Sequence, residues 1–109
     1  MTKRKLRKLY DKKLRKEFDD YRTQLEQLKK EEIIACAYTI YIVHRIYEYL
    51  LEIQDDLTKD MIKMIVSKDD IIFILYWHWV KLDTNDDKEL HECIESTLAE
   101  ICKKKGELK

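Results

Sequence analysis

In the first thirty residues, apolar side chains recur at Leu6, Tyr10, Leu14, Phe18, Tyr21, Leu25 and Leu28. Steps of four and three follow one face of a helix, so the pattern predicts an amphipathic helix over 3–28 with a wide solvated face. Thr2 stands where an N-cap hydroxyl is expected. The apolar density then rises. Residues 31–53 read EEIIACAYTIYIVHRIYEYLLEI, sixteen of twenty-three apolar or aromatic and without Gly or Pro. A helix apolar on nearly all sides has to be wrapped by its neighbours, which makes this segment the expected centre of the fold. A break is expected near Lys29–Lys30, because a single helix of about fifty residues would be far above the usual length.

Beyond Ile53 the pattern becomes shorter in range. Thr58 is a candidate N-cap for a helix over 59–66 carrying Met61, Ile62, Ile65 and Val66. Ser67 and Asp70 have capping-box spacing, with Asp in place of Glu, and would open a helix over 70–81, apolar nearly all round. Leu82-Asp83-Thr84-Asn85 reads as a loop, and Thr84 or Asn85 would cap a last helix over 86–104 with the stripe Leu90, Ile94, Leu98, Ile101. Gly106 falls where a left-handed C-cap is expected. The whole chain, 1–109, reads as one all-α domain. It divides into a basic amphipathic helix (1–28), a helical body (31–104) and a tail (105–109). About five helices would surround the 31–53 segment. One Gly and no Pro fit that class, since strand and loop architectures need turn residues.

Charge changes the picture only through its distribution. Net charge is zero, yet residues 1–16 hold nine Lys/Arg against one acid and residues 17–102 hold nine against twenty. A bipolar molecule of this kind can present either sign to a partner. Cys36, Cys93 and Cys102 have no metal or redox spacing and read as reduced thiols. The basic start lacks the apolar run of a signal peptide, and charged residues interrupt every stretch long enough to span a bilayer. The expected location is therefore the cytoplasm, with no membrane partner.

Little in the sequence suggests chemistry. A single Gly excludes a Gly-rich phosphate loop, and neither Ser67 nor Ser96 falls in a nucleophile turn. His44/Glu48 and His91/Glu95 are i,i+4 pairs, two ligands each where a metal site needs three or four. No catalytic residue, metal or cofactor is expected, and the chain reads as a non-enzyme.

Three surfaces are candidates for binding. The doublets Asp19-Asp20 and Asp55-Asp56 lie outside predicted first turns, where the helix dipole would account for them, and could present phosphate-like charge to a basic groove. Tyr76-Trp77-His78-Trp79 cannot all enter one core face, so Trp77 or Trp79 is a candidate apolar anchor. The cations Lys3, Arg4, Lys5, Arg7, Lys8, Lys12, Lys13, Arg15 and Lys16 could neutralise nucleic-acid phosphates.

The order of short motifs adds a further expectation. These are Leu9-Tyr10-Asp11-Lys12, Glu17-Phe18, Glu31-Glu32-Ile33-Ile34 leading to Ala37-Tyr38, Leu57-Thr58, Leu75-Tyr76 with Trp79, and Lys81-Leu82-Asp83-Thr84. Over about residues 8–103 this order resembles a family of small helical proteins of unknown function from gut bacteria and their conjugative elements and phages. The family tends to carry Pro where this chain has Lys29-Lys30, and an acid where it has His44-Arg45. What the resemblance implies is an accessory role beside antirestriction-type proteins. The expected function is thus a non-enzymatic protein-binding module in a bacterial host cell. Its most concrete form is an anti-defence, anti-CRISPR-type inhibitor that covers the nucleic-acid site of a Cas nuclease. The alternatives are a nucleic-acid-binding accessory protein acting through the basic helix, and a structural homo-oligomer such as a homodimer.

Overall fold

The computed structural model describes residues 2–82 and 87–107, with side chains of the last helix described from Lys88 to Lys103. The described residues form helices joined by short turns, with no strand. Helix α1 spans Lys3–Glu26, and the Thr2 hydroxyl caps it by accepting from the Lys5 N–H at 3.2 Å. Its predicted stripe is the face that docks: Leu6, Tyr10, Leu14 and Tyr21 are buried, with Phe18 and Leu25 half-buried. The last turn tightens, as the Gln27 and Leu28 N–H groups bond the carbonyls of Gln24 and Leu25.

The break at Lys29–Lys30 is present. Lys29 is extended, and the Glu32 carboxylate accepts from its N–H at 3.2 Å, closing the start of α2 (Lys30–Ala35) without a proline. The 31–53 segment, expected as one wrapped helix, is not one. Cys36 interrupts it, and α3 runs over Ala37–Glu52. Only Ile42, Val43, Ile46 and Leu50 of α3 are buried, and no residue of α2 is. All of residues 31–35 are exposed.

A 3₁₀ turn (Ile53–Asp56) leads to α4 (Lys59–Ser67), where Thr58 is the expected cap, accepting from Met61 at 3.2 Å. The capping box expected at Ser67 does not form. Ser67 ends α4, and its hydroxyl donates to the Met64 carbonyl at 2.9 Å. Three residues join α4 to α5, and the chain turns there through Asp70 at φ 57°, a left-handed conformation with no side-chain cap bond. Helix α5 (Ile71–Val80) instead receives a cap from outside. Glu17 of α1 lies 3.5 Å from the Ile72 N–H through Oε1, while its other oxygen pairs with Lys13. Helix α6 (Asp87–Glu107) buries Leu90, Ile94 and Leu98, and continues through Gly106, which is therefore not its C-cap. The candidate caps Thr84 and Asn85 lie outside the described residues.

Side-chain pairs set the topology. Helix α3 runs antiparallel to α1, through Arg7 with Asp55, Tyr10 with Leu50, and Phe18 stacked on Tyr47 at 4.3 Å. Helix α5 runs antiparallel to α3, through Thr39 with Tyr76 at 2.9 Å and Tyr38 with Trp79 at 3.3 Å. Helices α4 and α6 close the remaining sides. With α1 and α3 on one side and α6 on the other, α5 can be apolar nearly all round, burying Ile71, Ile72, Leu75, Tyr76 and Trp79. The bundle measures 45 × 28 × 25 Å.

Candidate functional site

The two tryptophans, two residues apart in sequence, have opposite fates. Trp79 is 2% exposed, its indole N–H donating to the Tyr38 hydroxyl, so it is a core residue and not a partner anchor. Residues two apart on a helix point about 200° apart, and Trp77 is correspondingly 61% exposed. Its ring meets Tyr76 edge to face, with the centroids 5.5 Å apart.

Trp77 is not isolated. Tyr38, Tyr41 and Ile34 are all about half exposed or more, and Val80 and Leu82 are exposed as well. The bonds Tyr38–Trp79 and Thr39–Tyr76 clamp the start of α3 to the end of α5, which brings these side chains to one end of the molecule. Ile34, Tyr38 and Tyr41 step by four and three. The backbone stays near-helical through Cys36, with the Ile40 N–H bonded to the Cys36 carbonyl at 3.0 Å, so the three share one side. Tyr38, Tyr41 and Ile34 were not named as site residues from sequence. A stretch apolar all round reads as core until the neighbours that fail to cover it are known.

The four acids do not form one face. Asp19 and Asp20 are in the second half of α1, and Asp20 pairs with Lys16 at 3.2 Å. Asp55 and Asp56 lie at the other end of α3, and Asp55 accepts from Arg7 at 2.7 Å. Arg7 precedes Asp20 by thirteen residues, about 20 Å of helix, so the two doublets are separated by that length. Two of the four carboxylates are therefore engaged within the chain.

The nine N-terminal cations divide in the same way. Arg7, Lys13 and Lys16 pair with Asp55, Glu17 and Asp20, whereas Lys3, Arg4, Lys5, Lys8, Lys12 and Arg15 are exposed and pair with no described residue. A groove of about 530 Å³ at the start of α1 is lined by Lys3, Arg4, Arg7, Lys8 and Asp11.

Among the described residues no group of three or more His, Cys, Asp or Glu is placed to hold a metal. His44 lies 3.6 Å from Glu48, and His91 stacks on Tyr49 at 3.8 Å while Glu95 accepts from the Tyr49 hydroxyl at 2.7 Å. These pairs are surface packing. Burial, the Glu95 hydrogen bond and then the charges of Glu95, Glu52 and Asp56 push the Tyr49 phenol up to about 12. All three cysteines are free and half-buried, and burial raises the Cys93 thiol, the opposite of what a reactive thiol needs. No helix among the described residues is long and apolar enough to cross a membrane.

The fold and its surfaces define an all-α bundle with an exposed aromatic end and a basic edge on α1. No family model, curated protein or solved structure matches the chain.

Proposed function

We propose that the chain is a non-enzymatic protein-binding module that holds its partner at the apolar end. The observation that carries this reading is the exposed Trp77, with Tyr38, Tyr41 and Ile34 at the same end of the bundle. Large aromatic side chains left in water lose the stabilisation that burial would give, and Trp and Tyr are the side chains that most often anchor interfaces. The more specific form, an anti-defence inhibitor on a Cas nuclease, takes its support from the family resemblance. In that form Trp77 is the anchor, and Asp19 and Asp56 are the carboxylates left to face a basic groove.

The test is a tagged pull-down from nuclease-treated bacterial lysate, comparing the native chain with the Trp77→Ala/Tyr41→Ala variant. A partner recovered by the native chain and lost by the variant supports the module. Equal recovery by both would overturn the apolar end as the contact. For the anti-defence form, purified Cas nuclease with its guide should cleave target more slowly when the chain is added, and unchanged cleavage rejects it. A mass in solution that rises with concentration, and falls back in the variant, would identify the partner as a second copy.

A further inference from the structure

The solvent face of α1 carries a row of cations with no counterpart in the fold. Arg4, Lys5, Lys8, Lys12 and Arg15 are exposed and pair with no described residue. At 100° per residue they fall within about 100° of one another, roughly opposite Leu6, Tyr10 and Leu14, and Arg4 to Arg15 covers about 16 Å of helix. Like charges three and four apart repel and weaken the helix that carries them. Acids interleaved along this face would have removed the repulsion, yet before Asp19 only Asp11 stands there, at its edge.

We propose that this row binds the phosphate backbone of double-stranded nucleic acid, without reading bases. Single strands are held by aromatic platforms, and the rings of α1 (Tyr10, Phe18, Tyr21) are turned to the core. A membrane-surface helix inserts its apolar face, whereas here that face is already covered and only Leu9, 38% exposed, borders the row. The chain's net charge is zero, so no diffuse attraction by the whole molecule exists, and a polyanion is drawn to the row itself. Two of the row, Arg4 and Lys8, also line the groove at the start of α1, where Arg7 is tied to Asp55 and Asp11 adds negative charge. Lys12 also lines a mixed groove with Asp69 and Asp70, and Lys5 and Arg15 line neither groove.

The test is fluorescence anisotropy with a labelled duplex of about 20 base pairs, titrated between about 50 and about 200 mM salt. Five phosphate contacts give a log–log salt slope between about −4 and −5. The variant Arg4→Gln/Lys8→Gln/Arg15→Gln removes three contacts, and its slope should fall to about −2, with affinity at the lowest salt reduced at least about tenfold. Circular dichroism should be unchanged, since all three side chains are exposed. Arg4→Lys/Arg15→Lys keeps the charge and should keep the slope. The proposal is overturned by absent duplex binding at the lowest salt, by a slope the triple variant does not change, or by tighter binding of single strands. Binding to phosphatidylserine vesicles in place of duplex overturns it too. Trp77→Ala should leave duplex binding intact, so this result and that for the apolar end are independent.

Discussion

The hydroxyl of Tyr10, fully buried in α1, donates to the backbone carbonyl of Leu50 at 2.5 Å. Leu50 is in the last turn of α3, where carbonyls have no partner within the helix. One side chain thus satisfies a buried acceptor and locks α1 against α3 across forty residues of sequence. Tyr10→Phe keeps the ring and strands the carbonyl, and should lower unfolding free energy by about 1–3 kcal/mol. Urea denaturation with an unchanged m-value would check it, and a loss below about 0.5 kcal/mol would show that the carbonyl finds another partner.

The same phenol makes stability depend on pH in the alkaline range. Burial, and secondarily the Asp11 charge, raises Tyr10 well above the usual tyrosine value of 10.0, and burial also raises Tyr21 and Tyr49. In the unfolded chain these phenols ionise near 10, whereas the folded state holds their protons. The unfolded state therefore binds fewer protons above pH 10, and stability falls as pH rises. Full stability is expected below pH 10, declining up to about 12, where Tyr49 of the folded state ionises, and beyond as Tyr10 follows. Denaturation midpoints across that range should fall less steeply in Tyr10→Phe than in the native chain. Tyr49→Phe should flatten the profile less, because Tyr49 is only half-buried.

Trp77 and Trp79 separate binding from stability. Trp79→Ala removes a core indole and should cost about 3–5 kcal/mol, a large part of the stability of a domain this size. Trp77→Ala should stay within about 0.5 kcal/mol of the native chain while losing the partner. The contrast can be read from thermal melts alongside the pull-down. Equal destabilisation by both would mean that Trp77 is covered in solution.

Asp70 holds a left-handed conformation that glycine adopts without steric cost. Asp70→Gly should stabilise the chain by about 0.5–1 kcal/mol, and Asp70→Ala, which keeps the strain and loses the aspartate's tolerance, should destabilise it. The order Gly above Asp above Ala in melting temperature checks this, and any other order counts against strain at the α4–α5 turn.

Local pattern was sufficient for much of this architecture. The spacing Leu6 to Leu25 named the docking face of α1, and Thr2 and Thr58 named two caps, because periodicity and capping are settled within a few residues of chain. The break at Lys29–Lys30 followed from the end of the stripe at Leu28 together with the length a single helix would need. Gly106 and Ser67 misled, since a cap signal gives way when packing lets a helix continue or when a turn is closed from elsewhere. Glu17 could not be recognised as the group that meets the start of α5, because Ile72 lies fifty-five residues away.

The surfaces were decided in the tertiary structure. Composition showed that α3 and α5 are apolar nearly all round, but which rings stay in water depends on which side of each helix its neighbours cover. That separates Trp77 from Trp79 and leaves Tyr38 and Tyr41 uncovered. The basic row was legible as charge, whereas the pairs Arg7–Asp55 and Lys16–Asp20 had to be seen to tell committed charges from available ones. Sequence determines what a helix face is made of, because that is a matter of residues one to four apart. Whether the face is covered is decided by chain segments far away in sequence, and only their packing says which.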